Sequence, residues 1–109
     1  MHAANLHEML ALLPAETRER LVVLYLDLLG PGLTAVEATL HQHPAQAAQP
    51  LHRLAGGAAM LQDHGVAQLA RSLERALLEG DVEQALAGWP ALQAAAEHSR
   101  QALQHRTPG

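Results

Sequence analysis

A chain of 109 residues with 49% apolar content is one domain's worth, able to bury a core without metal or disulfide staples. It contains no Cys and no Lys, which removes thiol catalysis, Cys-based zinc sites, disulfides, a P-loop lysine and Schiff-base chemistry together. A net charge of −4 with His neutral, and no basic run, argues against nucleic acid as a partner.

No apolar stretch reads as a membrane span of ~20 residues, and MHAANLHEML has neither the basic flank nor the cleavage pattern of a signal peptide. A soluble cytoplasmic domain is therefore expected. Phe is absent, with one Trp and one Tyr, so the core must come from Leu, Ala and Val. Few β-branched or aromatic residues favour helix over strand.

In chain order, Asn5 and Glu8 have the spacing of a capping box. Leu6, Met9, Leu10 and Leu13 then form one stripe, closed by Pro14. A long helix begins near Ala15, with Leu21, Leu24, Tyr25, Leu28, Leu29, Leu33, Val36 and Leu40 at helical period. The period crosses Gly30-Pro31-Gly32, which reads as a kink in one helix; two shorter helices are the alternative.

Pro44 suits a first helical position. Pro50 implies either that the helix begins there with Gln49 as cap, or that it bends. The inward stripe is Leu51, Leu54, Ala58 and Leu61, and Asp63-His64-Gly65 makes a short turn. The next helix turns Val66, Leu69, Ala70, Leu73 and Leu77 inward and stops at Gly80. Asp81 and Gln84 then open a last helix, striped Val82, Leu86, Trp89, Leu92, Ala96 and Leu103, with a kink at Pro90. Residues 1–4 and 106–109 read as frayed ends of a single domain spanning 1–109. Four main helices with short connections predict an all-α, antiparallel up-down four-helix bundle carrying a short extra N-terminal helix.

Eight histidines invite a metal reading. His41 and His43 are two apart and point apart on a helix. His98 and His105 are seven apart, about 10 Å along the axis, and His2 and His7 sit near the terminus. No pair has a spaced carboxylate to complete a site, so no metal ligands are assigned.

His52 differs in its neighbours. Ala48, Ala55, Gly56 and Ala59 share its helix face, and nothing there exceeds a methyl group. The strip flanks the inward stripe, which turns His52 toward water. Gly in a helix interior costs about 1 kcal/mol relative to Ala, so Gly56-Gly57 is an expensive choice in an alanine-rich chain. One explanation is that small residues let helices pack closely and the histidine is incidental. The other is a docking surface, on which a partner's active site closes over the imidazole. A neutral ring nitrogen is a competent nucleophile near pH 7, and a phosphoryl group suits it because the metal and charge-stabilising groups can come from the partner.

The stretch PLHRLAGGAAML, followed by VAQLARSLERALLEGD, resembles the histidine-containing phosphotransfer (HPt) domain of bacterial phosphorelays. That family carries an H-x-x-K-G core, a small-residue stretch, and a helix ending in a Leu-Glu pair and a Gly-Asp turn. Without gaps, His52 matches the phosphorylated histidine, Gly56 the family glycine, Leu73-Glu74 the Leu-Glu pair and Gly80-Asp81 the Gly-Asp turn. The motif resemblance covers 51–81; beyond it, only helix order and length are shared.

Three features depart from the family pattern. The family lysine is Ala55 here, so a cation is missing, and Arg53 is the candidate stand-in beside the phosphate. The glycine that often ends the histidine helix is Gln62, with Gly65 expected to make the turn instead. Pro50 lies two residues before the histidine.

The resemblance implies a four-helix bundle acting as a phosphocarrier, not a self-contained enzyme. His52 would be the phosphoacceptor, and Ala48, Ala55, Gly56 and Ala59 the docking face. The partner implied is a receiver domain on a response regulator or hybrid sensor histidine kinase. That receiver supplies the aspartate, the Mg²⁺ and a cation, and this chain binds no cofactor. Neither membrane nor nucleic acid is implied, and a monomer is expected. A phosphate-free adaptor that binds a receiver or kinase is the rival, favoured by Ala55. A helical oligomerisation module is a third reading.

Overall fold

The computed structural model describes residues 5–104, and the expected frayed ends, 1–4 and 106–109, lie outside them. Among the described residues there are five helices and no strand: α1 (Leu6–Ala11), α2 (Ala15–Leu40), α3 (Pro44–Met60), α4 (His64–Leu78) and α5 (Val82–Gln104). The start signals act as their chemistry requires. The Asn5 side chain accepts from the Glu8 N–H at 2.9 Å and Asp81 Oδ1 from the Gln84 N–H at 3.1 Å, each satisfying an N–H that has no intrahelical partner. Pro44 occupies the first turn of α3.

α2 is one helix through Pro31, and α5 runs unbroken through Pro90. α3 likewise begins at Pro44 and continues through Pro50, so Gln49 is not a cap. Pro50 is buried, and having no N–H it gives up one intrahelical hydrogen bond.

Both α3 and α4 end in the same hydrogen-bond pattern. The Asp63 N–H bonds Ala58 O at 2.8 Å and the Gln62 N–H bonds Ala59 O at 3.2 Å; the Asp81 N–H bonds Ala76 O at 2.8 Å and the Gly80 N–H bonds Leu77 O at 3.1 Å. This double closure needs a left-handed residue just past the helix. Gly80 supplies it at φ +80°, and Gln62 at φ +64°. The turn after α3 is thus made by Gln62 and not by Gly65, which lies inside α4.

α3 packs against both α2 and α4, α4 against α5, and α5 makes a lighter contact with α2. Leu29, Val36, Leu40, Leu51, Leu54, Val66 and Leu92 are at or near zero exposure in the shared core, and α1 adds Leu6 and Leu10. α2 is rotated slightly from its expected stripe: Val22 is buried while Leu24 is 58% exposed. The expectation that no stretch reaches membrane-span length is overturned by length and composition, since α2 is long and apolar enough. Only Asp27 and Glu37 interrupt it with charge between Leu21 and Leu40. Its residues Val22, Tyr25, Leu29, Val36 and Leu40 are spent on the core.

Polar links tie α2 to the far side. Asp63 Oδ2 accepts from the Tyr25 hydroxyl at 2.6 Å and the Ser99 hydroxyl at 2.7 Å, joining α2, the α3–α4 turn and α5. Burial, and then the Asp63 carboxylate, push the Tyr25 phenol well above its ordinary range. Trp89 Nε1–H donates to Glu37 Oε2 at 2.6 Å.

Candidate functional site

Burying Leu51, Leu54 and Ala58 on one side of α3 obliges His52 to face outward, and its side chain is 75% exposed. α4 runs alongside, with alanines buried on both helices (Ala55 and Ala58; Ala67 and Ala70) where long side chains would hold the axes apart. This proximity brings Glu74, only 19% exposed, to His52: Glu74 Oε2 lies 2.9 Å from His52 Nδ1.

A carboxylate can only accept, so Nδ1 is the donor in this contact, and in the neutral ring that leaves the lone pair on Nε2. An exposed pair of this kind contributes about 0–1 kcal/mol to stability. Its larger effect is to fix the ring's tautomer and orientation.

The pair stands in an open recess of about 350 Å³ lined by His52, Ala55, Gly56, Arg71, Glu74, Arg75 and Leu78. Ala55 forms buried wall at 3% exposure. Gly56 is exposed, and a Cβ built on it meets nothing within 4 Å. Gly57 is its opposite, because a Cβ there would lie 2.0 Å from Leu28 Cδ2. The two glycines therefore do different things. Gly57 lets α2 approach α3, whereas Gly56 is not needed by any neighbour in this chain.

Of the remaining expected site residues, Ala48 and Ala59 are half-buried and Arg53 is exposed, and all three lie outside the recess lining. The other described histidines, His7, His41, His43, His64 and His98, are exposed. Among the described residues no group of three or more His, Asp or Glu could hold a metal.

Sequence reasoning missed Arg71 and Arg75 as neighbours of His52, and noticed Glu74 only through the family pattern. Arg71, Glu74, Arg75 and Leu78 do share a helix face by spacing, but nothing in the spacing says which element that face meets. A second surface feature was also hidden. Leu21, Leu24, Leu28, Gly57, Met60 and Leu61 line an apolar groove between α2 and α3, where Met60 is 81% exposed. Compared with protein-family models, curated proteins and solved structures, the chain matches none.

Proposed function

We propose that this chain is an HPt-like phosphocarrier in which His52 Nε2 accepts a phosphoryl group from the aspartyl phosphate of a receiver domain and passes it to another receiver aspartate. The observation that carries this reading is the His52–Glu74 pair: an exposed imidazole held through Nδ1, with Nε2 free, beside a glycine facing open space. The helix order, with each long helix packed on the next and α5 returning lightly to α2, supports an antiparallel up-down four-helix bundle. The setting is cytoplasmic and the carrier a monomer.

In the transfer, Nε2 attacks phosphorus, the N–P bond forms, and the P–O bond to the aspartyl carboxylate breaks. The aspartate leaves as the carboxylate. No proton needs to move, since Nδ1 keeps its own, and the ring becomes a phosphorylated imidazolium. Its new positive charge lies against Glu74, so that hydrogen bond becomes charge-assisted as the transfer proceeds. Interactions that strengthen toward the transition state are the ones that speed a reaction. The receiver brings the Mg²⁺ and its cation; this chain brings the nucleophile and the carboxylate that holds it.

The test is incubation with a phosphorylated receiver, following acid-labile, base-stable label on this chain. His52→Gln should abolish the label, and label persisting on that variant would remove His52 from the role. Glu74→Gln keeps an acceptor but loses the charge, so transfer should slow about fivefold or more. The adaptor reading is favoured by Ala55, which leaves that turn of α3 without the family cation. It predicts receiver binding with no label on His52.

A further inference from the structure

We propose that Arg71 and Arg75 of α4 supply the positive charge that meets a phosphoryl group on His52, in place of the cation that α3 lacks at Ala55. The inference rests on the phosphocarrier reading and goes beyond it by naming the groups that bind the transferred anion.

Three observations converge. Both arginines line the recess that holds His52 and Glu74, whereas Arg53 does not. Both are exposed, and among the described residues neither guanidinium has an ion-pair or hydrogen-bond partner. Arg100 and Arg20, by contrast, are paired on their own helices with Glu97 and Glu16. Finally, Arg71 and Arg75 are four apart on one helix face, where like charges repel. The acid between them, Glu74, is turned to His52 Nδ1. An anion on His52 would relieve that repulsion, and the planar guanidinium fork matches phosphate oxygens.

Glu74 is the one acid in the recess. Its charge is directed at the ring's Nδ1–H, on the other side of the imidazole from the Nε2 that would carry phosphorus. Charge is thus sorted across the ring, with carboxylate toward Nδ1 and guanidiniums for the phosphoryl oxygens. The lysine missing from α3 is a change of helix and not a loss of function. Ala55, buried against the α4 side, leaves room for arginines arriving from there.

The experiment uses the full chain and phosphoramidate, a small phosphodonor that needs no receiver. Nε2 attacks its phosphorus and ammonia departs. Phosphohistidine formation is followed by ³¹P NMR, with Trp89 fluorescence checking the fold of each variant. Arg71→Ala/Arg75→Ala should slow phosphorylation about tenfold or more, while Arg71→Lys/Arg75→Lys should keep much of the rate and Arg53→Ala all of it. Ala55→Lys added to the double-alanine variant should restore part of the loss.

Inorganic phosphate should shift the His52 ring resonances in the parent chain and not in the double-alanine variant, a readout that a merely structural role would not move. A double-alanine variant reacting at the parent rate, or a loss confined to Arg53→Ala, would overturn the proposal while leaving His52 as acceptor. Absence of His52 phosphorylation in the parent chain would overturn the phosphocarrier reading itself.

Discussion

Replacing Gly56 with alanine should make the protein more stable and its partner chemistry no better, and the structure gives the size of the first effect. A Cβ at Gly56 meets no atom within 4 Å, and the backbone there is ordinary helix inside α3. The substitution therefore adds no clash, gains the helix-propensity difference of about 1 kcal/mol and narrows the unfolded ensemble. For a domain of this size, 1 kcal/mol raises Tm by roughly 4–8 °C. Thermal unfolding followed by helical circular dichroism and by the single Trp89 measures it.

Gly57→Ala is the internal control. Its Cβ would fall 2.0 Å from Leu28 Cδ2, so Leu28 must leave its rotamer at a cost of about 0.5–1.5 kcal/mol, which cancels most or all of the gain. If Gly56→Ala lowers Tm, the glycine has a structural duty and the idea of a surface kept clear for a partner fails. The functional half uses Gly56→Leu, which should lose much more rate with a phosphorylated receiver than with phosphoramidate. Equal rates with the receiver would show that nothing closes over that spot.

Two further outcomes follow from the turn and the core. Gln62→Gly should raise stability by about 1 kcal/mol, because a side chain at φ +64° sits in a region that costs roughly 1–2 kcal/mol for a residue with a Cβ; an unchanged denaturation midpoint would refute it. Tyr25, the single tyrosine, is 1% exposed, and burial and Asp63 hold its phenol far above the ordinary value. The neutral form is thus favoured in the fold, so this stability is complete below about pH 10 and declines by about 1.4 kcal/mol per pH unit above it. Absorbance at 295 nm should rise only together with loss of helix, and tyrosinate forming near pH 10 in a still-helical protein would contradict the reasoning.

Much of the framework is legible in the chain because it rests on local physics. The caps at Asn5 and Asp81, the first-turn proline at Pro44 and the helical period each involve residues within a turn or two of one another. The same locality placed His52 outside, since Leu51, Leu54 and Ala58 must point inward. Locality also misled. Gly65 is the natural turn former by residue type, but hydrogen bonds to Ala58 and Ala59 oblige Gln62 to take the left-handed conformation. The stripe on α2 included Leu24, yet packing against its neighbours turns Val22 in and Leu24 out.

By itself, then, the sequence determined an all-helical domain, its helix starts, and a histidine facing water from a strip of small residues. Tertiary structure alone decided what that histidine meets. Glu74 is 22 residues from His52 and reaches it only because α3 and α4 lie side by side. The same packing separates two adjacent glycines into one that admits Leu28 and one that faces open space. It also sets Arg71 and Arg75 in the same recess as His52 and Ala55. The reason is physical: helix periodicity fixes the direction in which a side chain leaves its own axis. What stands there to meet it depends on a second axis, whose position is set by the whole core.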